Sequence, residues 1–383
     1  MNRSLIVLSF VCCSCALATQ KEAPQILPGA YQTEAYLPLL RGKSVGLTVN
    51  HSSMIGEKHL IDTLKRHKVQ VAKVFTPEHG FRGTVSDGIT IDYTDSVKSF
   101  ELISLYGKNK KPSSKQLSGI DMMVFDLQDV GARFYTYIST MHYIIEACAE
   151  KKVPLLILDR PNPNGSYIDG PVLDTTHRSF VGMHPIPIVY GMTIGELALM
   201  INGEDWINTS QPCDLRVIKV QNWDHQTSYS LPIRPSPNLP NDLSISLYPS
   251  LCLFEGTIMS VGRGTEYPFQ QIGHPGYPDQ GYSFTPISWE GSKYPPFEGK
   301  RCFGKSWNGE ILNYALDLKP LLETYHKMSE RNEEFFNDYF NLLAGTDELK
   351  EQIKSGLDEA AIKKSWEPGL ENFKKIRDKY LLY

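Results

Sequence analysis

Three short stretches concentrate residues that could do chemistry. FDLQDVGARFYTY (residues 125–137) carries Asp126, Gln128, Asp129, Arg133 and Tyr135; PEHGFRG (77–83) carries Glu78, His79 and Arg82; DRPNPNG (159–165) carries Asn162 and Asn164. Each follows an apolar run that reads as a buried strand, so all three fall where a strand opens into a loop. Ligands in open α/β sheets sit just beyond the carboxyl ends of the strands. Acids beside amides, arginines and aromatics suit a carbohydrate. Glycoside hydrolysis needs one carboxylic acid to protonate the leaving oxygen, and usually a second carboxylate to activate water or attack carbon. Glu78 is the candidate acid, because Pro77 and Phe81 would desolvate it and raise its pKa. Asp126 and Asp129 are the candidates for the second role.

Taken singly, each residue has a structural alternative. Glu78 could pair with Arg82, Asp126 and Asp129 could hold their own loop by accepting backbone amides, and Asp159 with Arg160 could be a surface ion pair. Tyrosines at a helix start serve packing as often as ligand contact. Three independent loops placing acids and amides on one rim weigh against chance. His79 beside Glu78 invites a metal reading, but His51, His142, His177 and His184 show no ligand spacing, and no metal is expected.

The elements that must position these loops alternate. Strands are predicted at 44–50, 69–75, 102–106, 120–125 and 153–158, and helices at 58–67, 113–117 and 135–151. That alternation implies parallel pairing with right-handed crossovers. The fold class is therefore α/β, with a Rossmann-like N-terminal domain at 39–188. No G-x-G-x-x-G follows its first strand, so no dinucleotide cofactor is expected. From about residue 189 the rhythm changes to an α+β domain running to 383. Thr193 and Glu196 form a capping-box pattern, a strand is predicted at 215–220, and helical patterns lie at 248–255, 318–328, 346–355, 358–366 and 370–379. Its loops PSPNLP (235–240), FEGT (254–257) and SVGRGTEYPF (260–269) place Asn238, Glu255, Arg263, Thr265 and Glu266 on a surface suited to face the first domain. VGRGT also reads as a plain hairpin turn.

A formal charge of −4, with no basic run beyond 108–111, lacks the electrostatic footprint of nucleic-acid binding. Residues 1–18 read as an export signal: Arg3, an apolar core at 5–11, and small residues ending in Ala16, Leu17 and Ala18. The rival reading is lipoprotein processing at Cys15. Either expectation places the mature protein outside the cytoplasm, periplasmic or secreted and in the second case lipid-anchored. The remaining Cys148, Cys213, Cys252 and Cys302 are too few and scattered for a disulfide framework.

In order and spacing, PEHGFRG, FDLQDVGARFYTY, LDRPNPNG, GMTIGELA, PSPNLP and LFEGTIMSVGRGTEYPF resemble the exo-β-N-acetylmuramidase family of bacterial glycoside hydrolases. The resemblance spans roughly 39–383 and is weakest in the helical tail. It implies a Rossmann-like domain and a C-terminal α+β domain with the active site in the cleft between them. It further implies release of N-acetylmuramic acid from non-reducing ends of peptidoglycan fragments, without a cofactor. By motif, Glu78 is similar to the family's catalytic glutamate, with His79, Arg82, Asp126, Gln128, Asp129, Arg133 and Tyr135 lining the same pocket. N-acetylmuramic acid differs from N-acetylglucosamine by a lactyl carboxylate, which a bidentate arginine would recognise; Arg82, Arg133 and Arg263 are the candidates. The alternatives are an exported, non-catalytic muropeptide- or sugar-binding protein, and a metal-dependent amidase or esterase.

Overall fold

A computed structural model describes residues 24–77, 100–329, 331 and 333–383. Near-continuous apolar runs make strands that are buried on both faces. β1 (Ser44–Val49) is buried along all but its first residue, and β6 (Met122–Asp126) and β7 (Leu155–Leu158) throughout. Between β1 and β6 come a two-residue hairpin, β2 (Met54–Ile55) with β3 (Lys58–His59), then β4 (Gln70–Thr76) and β5 (Glu101–Ser104). β8 (Leu215–Ile218) completes a six-stranded sheet of order β5-β4-β1-β6-β7-β8, in which every pair is parallel. This is the Rossmann order, with the reversal between β1 and β6. β8 comes from the stretch expected in the second unit.

One face of the sheet packs on α1 (Thr33–Leu40) and α2 (Leu60–Arg66), with Leu40, Leu47, Leu60 and Val124 in that core. The other packs on α3 (Tyr137–Lys151) and α4 (Ile194–Gly203), and its core continues without a break into the C-terminal unit. The capping box at α4 is present in both directions: the Thr193 side chain accepts from Glu196 N, and Glu196 accepts from Thr193 N. The helix predicted at 113–117 is instead a run of turns.

The C-terminal unit begins with α5 (Asp242–Leu251), which passes into a 3-10 turn, Cys252–Gly256. A small antiparallel sheet follows, β9 (Gln271–His274), β10 (Ser283–Phe284) and β11 (Cys302–Ser306), in the order β10-β11-β9. α6 (Lys319–Met328), α7 (Phe340–Ala344), α8 (Glu348–Lys354) and α9 (Glu359–Arg377) complete it. α9 runs through Pro368 and Gly369, where the sequence predicts a break. Burial of Ile362, Trp366 and Phe373 along one face, with Lys363 bonded to Asp169 and Arg377 to the Gly191 carbonyl, outweighs the backbone hydrogen bond lost at the proline.

Candidate active site

The carboxyl ends of β1 and β6 flank the topological switch point, and the chain fills that crevice with its own side chains. Asn50 donates to the Tyr137 hydroxyl at 2.8 Å, and Ser53 donates to the Asp126 carbonyl. The Asp126 carboxylate is fully buried and receives Arg160 twice, Nε on Oδ1 at 2.5 Å and an NH₂ group on Oδ2 at 2.9 Å. Asp126 is therefore the partner of Arg160, which ties the loop after β7 to the end of β6. Asp159, on that same loop, is buried rather than at the surface. It accepts from Gly195 N at the start of α4, from the Thr193 hydroxyl and from the Tyr383 hydroxyl. Burial raises its carboxyl to about 6.

The rest of FDLQDVGARFYTY divides between scaffold and cavity. Gln128 donates to the carbonyls of Asp129 and Pro161. Asp129 accepts through Oδ2 from Gly131 N and the Tyr190 hydroxyl, while Oδ1 has no partner among the described residues. Burial lifts its carboxyl to about 6, and the Tyr190 hydroxyl with the Gly131 and Val130 backbone amides offsets only part of the shift. Arg133 is fully buried, and its guanidinium donates to four backbone carbonyls, those of Pro171, Ile186, Leu343 and Ala344, at 2.6–3.0 Å. The last two are orphan carbonyls at the end of α7, so Arg133 caps a C-terminal helix from the N-terminal domain. With no acid facing it, burial pulls its pKa down to about 9. Asn162 donates to the Met192 carbonyl and accepts from Asn164 N, and Asn164 donates to the carbonyls of Val130 and Ile245. Gly131, at φ +75°, leaves room for Asn162: a Cβ there would lie 2.3 Å from its side chain. These residues hold loops together and do not line the cavity described next.

That cavity, about 600 Å³, opens where the α3 entrance meets the C-terminal unit. From the N-terminal side it is lined by residues 134–137, with Tyr106, Lys110 and Phe180; the far wall is Ser236, Asn238, Tyr248, Glu255, Arg263, Phe269 and residues 291–294. Rings Phe134, Tyr135, Tyr248 and Phe269 meet edge to face, with centroids 4.9–6.1 Å apart, and form an apolar base. Polar groups are fixed around it. The Tyr135 hydroxyl donates to the Pro235 carbonyl at 2.8 Å, Asn238 donates to the Gly291 carbonyl, and Arg263 Nε meets Glu255 Oε1 at 2.6 Å with its guanidinium 5.0 Å from the Phe269 centroid. Of the predicted site residues, Tyr135, Asn238 and Arg263 come together here. Asp126, Gln128, Asp129, Arg133, Asn162 and Asn164 do not, and Glu266 is exposed away from the cavity. Glu78, His79 and Arg82 lie outside the described residues. Glu255, which the sequence places on the surface facing the first domain without assigning it a role, also lines the cavity. No group of three His, Cys, Asp or Glu suited to a metal occurs among the described residues.

A Rossmann-ordered sheet whose carboxyl edge meets an α+β unit across a polar, ring-floored cavity defines a two-part α/β protein. Sequence comparison makes the class specific. Residues 45–243 match the family described as exo-beta-N-acetylmuramidase NamZ, N-terminal, and residues 246–383 its C-terminal counterpart. The chain belongs to the NamZ exo-beta-N-acetylmuramidase family and is a glycoside hydrolase. It is 36% identical to the peptidoglycan beta-N-acetylmuramidase NamZ of Bacillus subtilis (strain 168), over 91% of this chain and 89% of that protein. Among solved structures it resembles a DUF1343 family protein of Bacteroides fragilis (TM-score 0.87, 45% identity, 94% of this chain and 99% of that one). A second DUF1343 protein from the same strain aligns with TM-score 0.79 at 28% identity, over 94% and 100% of the two chains.

Proposed function

We propose that this chain is an exo-lytic hydrolase that releases N-acetylmuramic acid from the non-reducing ends of peptidoglycan fragments, with Glu78 as general acid. The observation that carries the reading is the match of both family domains over 45–383, together with a cavity formed by residues of each. Its volume lies within the range of about 300–1,000 Å³ usual for small-ligand sites. Flat ring faces suit the C–H face of a pyranose, and Asn238 and Arg263 suit its polar substituents. Support for Glu78 comes from its motif and its place in the chain: β4 ends at Thr76 on the carboxyl edge of the sheet, immediately before PEHGFRG. The apolar leader at 1–18 fits work outside the cytoplasmic membrane, where peptidoglycan lies.

Release of chromophore from a β-N-acetylmuramide, measured beside its N-acetylglucosamine counterpart, tests the substrate. Equal release from both, or none from the first, would overturn it. Glu78→Gln should lower turnover of substrates with poor leaving groups by ~10²–10⁴, the usual contribution of a general acid, and leave binding intact. Near-normal rates in that variant would refute the acid role.

A further inference from the structure

Most glycoside hydrolases place negative charge beside the sugar carbon from which the leaving oxygen departs, because the transition state there resembles an oxocarbenium ion. The sequence points to Asp126 and Asp129 for that charge, and the fold seals both away from the cavity, one against Arg160 and the other under Tyr190. Among the described residues, the only carboxylate lining the cavity is Glu255. We propose that Glu255 is the carboxylate that faces the reacting sugar and opposes the positive charge developing on its ring. This rests on the functional reading above.

The geometry holds one end of the side chain and leaves the other available. Glu255 closes the 3-10 turn that follows α5, and its carbonyl accepts from Asn337 Nδ2 at 3.1 Å. The next residue, Gly256, sits so close to α7 that a Cβ would lie 2.4 Å from the Phe340 Cα, which fixes the backbone. Oε1 is taken by Arg263 Nε at 2.6 Å, whereas among the described residues Oε2 has only the weak Cys252 thiol at 3.6 Å. The side chains of Glu255 and Arg263 are 23% and 19% exposed, so the pair is shielded yet open to a ligand. Beside it, Tyr248 and Phe269 offer ring surface on which a sugar would rest. An ion pair in partial burial keeps the carboxylate from wandering, and a fixed charge stabilises a developing cation without reorganising during the reaction. The role is electrostatic: bond breaking and protonation of the leaving oxygen fall to other groups.

The test measures release from a chromogenic β-N-acetylmuramide by wild type, Glu255→Gln and Glu255→Ala, each with a thermal melt. Glu255→Gln preserves shape and removes charge; kcat should fall ~10²-fold or more, the scale seen when one preorganised electrostatic group is lost, with KM within a few-fold. Sodium formate or azide should restore part of the rate in Glu255→Ala, and sodium chloride should not. A purely structural Glu255, serving only to hold Arg263, predicts no anion rescue and an equal loss in Arg263→Leu. A folded Glu255→Gln retaining more than a third of wild-type kcat, or a folded Glu255→Ala that no anion rescues, would overturn the assignment. Wild type that turns over no β-N-acetylmuramide would instead overturn the functional reading, and this inference with it.

Discussion

Arg133 separates a substrate-reading role from a structural one. Replacing it with Met keeps much of the aliphatic volume and deletes the guanidinium, leaving the carbonyls of Pro171, Leu343 and Ala344 without their donor in a buried site, while the Ile186 carbonyl keeps Leu173 N. Orphaning one buried acceptor costs ~1–3 kcal/mol, so three would cost ~3 kcal/mol or more. Part of that returns, because no carboxylate compensates the buried charge and its desolvation cost disappears with it. The net should resemble the breaking of a buried ionic network, ~3–5 kcal/mol. With an unfolding entropy of ~2.1 cal/mol/K per residue, a cooperative chain of 383 residues would lose ~4–6 °C in Tm. The assay pairs a calorimetric melt with kcat/KM on β-N-acetylmuramide and β-N-acetylglucosaminide. A lowered Tm with an unchanged ratio between the two sugars is expected. An unchanged Tm with a tenfold or greater loss of preference for the lactyl sugar would refute the capping role and restore Arg133 as the carboxylate reader.

Two further outcomes concern the buried acids. Tyr383→Phe removes the hydroxyl that donates to Asp159 Oδ2 and accepts from Val220 N, both at 2.7 Å; a loss of ~1–3 kcal/mol should appear as a lowered urea midpoint with unchanged slope, and an unmoved midpoint would count against the tail as a clamp. Burial lifts the Asp129 carboxyl in the folded state to about 6, above the ordinary aspartate value of 3.8. The folded state therefore binds the proton more tightly, and this contribution to stability is complete below about 4 and lost as pH rises through about 6. Relative to wild type, Asp129→Asn should gain in Tm between pH 4 and pH 7; a constant difference across that window would sink the assignment.

Much of the scaffold was legible before any coordinate. Short, largely apolar runs at 44–50, 120–125 and 153–158 read as strands buried on both faces, and Thr193 with Glu196 marks the start of α4 through purely local hydrogen bonds. Local rules failed where packing decided: α9 continues through Pro368 because its apolar stripe and two tethers reward continuity, and the turns at 113–118 lack an apolar face long enough to stabilise a helix. Loop chemistry was legible only in kind. Composition cannot tell an aspartate that binds a sugar from one that binds Arg160, since both are polar residues at a strand end.

By itself, then, the sequence determined the strands of the parallel sheet, the carboxyl edge as the place for polar loops, and, through six ordered motifs, the family. Only the tertiary structure decided which polar groups face the cavity. FDLQDVGARFYTY spends Asp126, Asp129 and Arg133 on Arg160, Tyr190 and the end of α7, partners 34, 61 and 210 or more positions away. Glu255, from the other unit, reaches the cavity beside Tyr135 instead. Desolvating a charge is costly, so each buried charged group must find a partner wherever the fold supplies one. Those partners are set by long-range packing, which local spacing does not encode.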